Sequence, residues 1–156
     1  MNPQEKLDAL CARKGIKLPP PPQAVGVYQP MVVSGGFAFL SGQLSKDSEG
    51  KLITGKVGKD LTVEQARVAA EWAAFQALSV VRSKINLSRV KQIATVRGFV
   101  HCTSDFYQHS DVMNAASEIL VEVFGDAGRH ARTSVGVITL PLNAAVELEL
   151  TLELQK

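Results

Sequence analysis

The sequence predicts an α+β domain, a mixed β-sheet with two helices packed on one of its faces. Three features carry that prediction. Apolar runs flank Gly35-Gly36, the pattern of a hairpin. Two stretches with helical apolar spacing, beginning near Thr62 and Ser110, are each followed by β-favouring segments. The chain then closes on Val146, Leu148, Leu150, Leu152 and Leu154, which alternate with Glu147, Glu149, Thr151 and Glu153. A period of two means a strand with one buried and one polar face.

Residues 2–14 form a short helix, with Asn2 as cap, Pro3 at the first helical position and Gly15 as the stop. Pro19-Pro20-Pro21-Pro22 excludes helix and predicts an extended polyproline arm along the surface. Residues 1–23 are therefore read as an N-terminal helix and arm, and 24–156 as one domain. Met31–Ser34 and Phe37–Leu40 are the hairpin strands, and the polar, glycine-rich stretch 46–60 is a surface loop. Thr62 and Gln65 make a capping box for a helix running to about Lys84. Its stripe is Val63, Ala66, Ala70, Ala73, Ala77, Val81 and Ile85, with Trp72 and Phe75 at its edges. Alanine lets such a helix lie close to a sheet. Val90–His101 is a strand rich in β-branched bulk. A helix from Ser110 with the stripe Met113, Ala116, Leu120 and Val123 ends at Gly125. Thr133–Thr139 is the next strand, joined through the Pro141–Asn143 turn to the strand Ala145–Leu154, with which it is expected to pair. The far face of the sheet must then meet water or another subunit.

The 156 residues, 46% hydrophobic and 21% charged, suit one ordinary globular domain. A net charge of +2 gives no electrostatic case for nucleic acid or an anionic membrane. No apolar stretch approaches the roughly 20 residues of a membrane span, and the N-terminus has no signal-peptide core. A cytoplasmic location is the expectation. Cys11 and Cys102 are too few for a disulfide framework. His101, His109 and His130 are too scattered for a metal site.

Arg132 stands before a predicted strand among few other charges. A guanidinium offers a planar fork that fits a carboxylate with two parallel hydrogen bonds, or it makes a surface ion pair. Glu147 lies on the polar face of the last strand, where it either activates water or is merely solvated. His130, two residues before Arg132, is either a cleft acid or base or a surface residue.

Ser41-Gly42-Gln43, Gly98-Phe99-Val100, Arg132-Thr133-Ser134-Val135-Gly136-Val137, Leu140-Pro141 and Val146-Glu147-Leu148-Glu149 together resemble the Rid/YjgF family, also labelled L-PSP endoribonuclease-like. The resemblance spans roughly residues 24–154, and the stretch from Asn114 to Arg132 is similar to a less-studied branch. It implies a chorismate-mutase-like fold and a homotrimer in which three sheets form a barrel, with a small carboxylate-bearing metabolite in clefts at the subunit interfaces. It implies cofactor-free hydrolysis of 2-iminobutyrate and 2-iminopropanoate to 2-keto acid and ammonia. Arg132 and Glu147 would be catalytic. Tyr28, in Gly26-Val27-Tyr28, would line the cleft or the interface. Ser41 and Gly42 would shape its floor, with Ser134 and His130 beside it. Ser134 stands where the deaminase branch commonly has cysteine, Gly136 where it commonly has glutamate, and the segment from Phe106 to Asn114 is longer. These departures keep a second reading open, a non-catalytic trimer that binds or senses a small carboxylate. The endoribonuclease of the family label finds no basic, aromatic groove in this composition.

Overall fold

In the computed structural model, which describes residues 1–24 and 26–156, the alternating C-terminal segment is the spine of a six-stranded sheet. The elements are α1 (Pro3–Lys14), β1 (Met31–Ser34), β2 (Phe37–Leu40), β3 (Gln43–Leu44), α2 (Val63–Lys84), β4 (Val90–His101), α3 (His109–Phe124), β5 (Ala131–Val137) and β6 (Val146–Leu154). Strand order is β1-β2-β6-β4-β5, with β3 also paired to β6. β6 runs antiparallel to β2, β3 and β4, while β4 and β5 are parallel and joined through α3. A parallel pair needs such a crossover, because a tight turn cannot reverse the chain twice.

The expected pairing of the Arg132 strand with the last strand does not occur, because β4 lies between them. The short helical turn Pro141–Asn143, with Leu142 and Asn143 at φ 57 and 61, is no hairpin turn. It lies in the link that carries the chain past the end of β4 from β5 to β6. The Gly35-Gly36 hairpin is present, with both glycines at positive φ (61 and 83).

The leucine face of β6 is the core face. Leu148, Leu152 and Val146 are fully buried, and α2 and α3 cover them. α2 starts at the expected Thr62–Gln65 capping box. It buries Ala66, Ala69, Ala70, Ala73, Ala74 and Ala77 completely. Phe75, expected at an edge, is 1% exposed. α2 is thus buried over a wider arc than its alanine stripe alone. α1 packs on α3, adds Leu7, Leu10 and Cys11 to the same core, and is tied to its neighbours by Arg82–Asp8 (2.6 Å), Lys14–Glu71 (3.2 Å) and Arg13–Glu122 (2.5 Å). The proline arm is tethered to α2 where Ser79 Oγ donates to the Pro19 carbonyl. Stretch 46–60 is more than a surface loop. Val57 is fully buried and bridges to Cys102, and Thr54 bridges to Ala144.

No helix among the described residues is long and apolar enough to cross a membrane. The close approach of α2 depends on side chains no larger than methyl. Ala73→Leu is expected to lower unfolding free energy by about 1–3 kcal/mol through overpacking. Val68→Leu, at a position 47% exposed on the same helix, should change it by less than about 0.5 kcal/mol. Urea denaturation of the two variants checks the contrast.

Candidate functional site

β5 begins two residues earlier than expected, so Arg132 lies within the strand and not before it. Its cross-strand partner is Val96 of β4, which pairs in turn with Leu150 of β6. Directly paired residues project to the same face of a sheet, so Arg132 turns toward the helices. There α3 receives it. Nη1 donates to Asn114 Oδ1 at 2.9 Å and Ser117 Oγ at 3.0 Å. Nη2 donates to Ser110 Oγ at 2.8 Å and the Ser110 carbonyl at 3.3 Å. The terminal nitrogens are thus held by one helix. Nε is the donor without a protein partner among the described residues.

Ser110, Asn114 and Ser117 were not singled out from the sequence. Their signal was present as a polar stripe at positions i, i+4 and i+7, beside the apolar stripe of the same helix. The sequence marks Ser110 as a helix start. α3 in fact begins at His109 without a side-chain cap, and the Ser110 hydroxyl serves Arg132.

His130 joins this cluster. Its Nδ1 lies 2.6 Å from the Gly128 carbonyl and its Nε2 2.9 Å from Ser117 Oγ. Burial lowers its pKa, the Gly128 bond opposes that, and the Arg132 charge lowers it further.

Glu147 pairs with Phe99, and Phe99 with Val135, so all three point to the face that no helix covers. Gly42 lies against the Glu147 carboxylate, where any Cβ would collide with it. Burial, and then the neighbouring Glu149, hold the Glu147 carboxyl above the ordinary carboxylate range. Gly42 also lines a cleft of about 80 Å³ with Tyr28, Gln43, Leu44, Gln76 and Pro22 of the arm. Tyr28 and Gly42 therefore line one cleft. Ser41 is a brace beside the cleft, its hydroxyl donated to the Gln29 carbonyl at 2.6 Å.

Arg132 and Glu147 are on opposite faces of the sheet with β4 between their strands, so one chain does not bring them together. Ser134 shares the helix-facing side with Arg132, and its Oγ is buried without a hydrogen-bond partner. At Gly136 a Cβ would meet His109 Nε2 at 2.5 Å and Cys102 Sγ at 2.7 Å. The absent side chain makes room for that imidazole–thiol contact of 3.6 Å. No group of three or more metal-ligating side chains occurs among the described residues.

Residues 8–154 match the family described as "YjgF/chorismate_mutase-like, putative endoribonuclease". The chain belongs to the YjgF/chorismate mutase-like family. A Trypanosoma cruzi relative, Protein TCP17, is 40% identical over 91% of this chain and 90% of its own length. The crystal structure of Atu1372, a protein of unknown function from Agrobacterium tumefaciens, has a TM-score of 0.89 and 34% identity, covering 98% of this chain and 96% of that one. A Dermatophagoides farinae protein named 2-iminobutanoate/2-iminopropanoate deaminase is 28% identical over 86% of this chain and 91% of its own.

The YjgF-like sheet leaves Val32, Phe37, Phe39 and Val135 between 38% and 50% exposed on or beside its uncovered side. Ion pairs Arg97–Glu149 (2.5 Å) and Lys91–Glu153 (2.8 Å) cross the strands there. Glu147 is the acid on this face with a raised pKa. A raised carboxyl binds its proton more tightly in the folded chain than in the unfolded one. Stability then falls as pH rises from the ordinary 4.5 through the folded value. Glu147→Gln is expected to remove that fall and to raise Tm at pH 7 by on the order of 2 °C. Thermal denaturation from pH 4 to pH 8, variant against parent, measures both effects.

Proposed function

We propose that the chain is one subunit of a homotrimer whose clefts hydrolyse small reactive imino or enamino acids to 2-keto acid and ammonia, without cofactor. The observation that carries this proposal is the pair of prepared groups, a guanidinium at Arg132 held by α3 and a half-buried carboxyl at Glu147 whose pKa burial raises. Kinship with a named deaminase supports it.

The substrate carboxylate approaches the Nε edge of Arg132, where one donor is free. Holding it there fixes the adjacent C=N carbon, which removes orientational freedom before reaction. Glu147 takes a proton from water as the oxygen adds to that carbon and passes it to the imine nitrogen, giving the tetrahedral carbinolamine. It then takes the carbinolamine hydroxyl proton and returns it to the amino nitrogen, so that the C–N bond breaks and ammonia leaves as the C=O bond forms. A carboxyl with a raised pKa suits both halves of that exchange. Because Arg132 and Glu147 face opposite ways within a chain, the two act together only when different protomers supply them. The uncovered apolar face gives those protomers a surface to share.

A second reading is a trimer that binds or senses a small carboxylate without chemistry. The missing side chain at Gly136, whose space the His109–Cys102 contact occupies, favours it, since the deaminase branch commonly has glutamate there. RNA cleavage has the weakest support, given the net charge of +2.

Arg132→Ala and Glu147→Ala are each expected to lower 2-iminobutyrate hydrolysis at least about 100-fold. Trimers reassembled from equal amounts of the two variants should recover about a quarter of parental activity, since random assembly puts an intact pair at one cleft in four. Mixed trimers as inactive as the separate variants would remove the shared site. A parental protein that binds 2-oxobutyrate yet turns over no imine would favour the sensing reading.

A further inference from the structure

Gly128 ends a short helical turn pressed against α3, and a Cβ there would strike the Leu120 carbonyl. Its own carbonyl is thereby fixed. His130 Nδ1 lies 2.6 Å from that oxygen. A carbonyl can only accept, so the ring carries its hydrogen on Nδ1. In the neutral ring Nε2 is then an acceptor. Ser117 Oγ, 2.9 Å away, gives it the hydroxyl hydrogen. The lone pairs of that hydroxyl are left for Arg132 Nη1 at 3.0 Å. Each of the three hydrogens points from the guanidinium toward Gly128, and every bond polarises the next in the same sense.

We infer that His130, acting through Ser117, is a positioning residue that sets the pose of the Arg132 guanidinium and does so only while its ring is neutral. This rests on the proposal that Arg132 holds a ligand carboxylate. Neither the histidine nor the serine touches the substrate. Their part is to hold the Nη1 side of the fork against α3, which leaves Nε as the donor for the ligand with little rotational freedom to lose on binding.

Protonation reverses the polarity. Nε2 gains a hydrogen and becomes a donor, and the Ser117 hydroxyl hydrogen must swing away from it. An imidazolium then lies one serine from a guanidinium. The groups facing His130 are the cationic Arg132 from β5, the neutral Ser117 from α3 and the Gly128 carbonyl from its own turn. Asp126 in that turn is fully exposed and lies 3.8 Å from Arg129. The depressed pKa of His130 agrees with this environment.

The test uses the full chain, uniformly ¹⁵N-labelled, with and without 2-oxobutyrate as probe. In the free protein the His130 ring is expected to show the Nδ1–H tautomer near pH 7. The Arg132 Nη signals should be resolved there and should coalesce as His130 titrates. Ser117→Ala should coalesce them already at pH 7 and weaken 2-oxobutyrate binding about tenfold, the scale of one lost hydrogen bond. The pH dependence of binding across the His130 titration should flatten with it. Ser117→Thr, which keeps the hydroxyl, should restore signals, affinity and pH profile. Resolved Nη signals in a folded Ser117→Ala variant, or an Nε2–H tautomer in the parent, would overturn the inference. If the parent fails to bind 2-oxobutyrate, the proposed ligand is at fault, and the signals of the free protein still decide the relay.

Discussion

Successive side chains on a β-strand point to opposite faces, and β6 keeps that rule from Val146 to Leu154. Most of the molecule follows from it. The leucine face fixes which side α2 and α3 must cover. The register through β4 then assigns every residue of β5 to one side or the other. Arg132 falls on the covered side and Glu147 on the bare one. The same pleat that builds the core also divides the two groups on which the proposed chemistry relies.

That division shows where the sequence was readable. Elements with a strong period or a sharp stop could be placed from the residues alone. These were the capping box at Thr62, the Gly-Gly hairpin and the alternating last strand, each formed as expected. Family membership was legible too, because its most specific motifs, from Arg132 to Glu149, cluster in the C-terminal quarter. What could not be read was strand order. Nothing in the Pro141–Asn143 segment says that it leads past β4 instead of folding back, since both paths need a break in the strand. The location of Arg132 relative to Glu147 failed with it.

The partners of Arg132 were hidden for a different reason. Ser110, Asn114 and Ser117 look like the solvated side of an amphipathic helix, and serines of that kind are usually unremarked surface. Only the crossover from β4 through α3 to β5 brings that side against an arginine. For Tyr28 and Gly42, which line one cleft, the family resemblance and not the residues alone pointed to both. Arrangements set by local periodicity, such as the hairpin and the capping box, were thus recoverable, and arrangements made by topology were not.

The i, i+4, i+7 spacing of the α3 stripe also bears on how this chain can change length. One residue added or removed between Ser110 and Ser117 rotates half of the stripe by about 100°, the angle per residue of an α-helix. The guanidinium would then face apolar side chains in place of hydroxyls. The connection between His101 and His109 carries no such phase, and its length can drift without disturbing the arginine. Among diverging copies of this gene, insertions and deletions should therefore collect ahead of the helix and be purged from its first two turns.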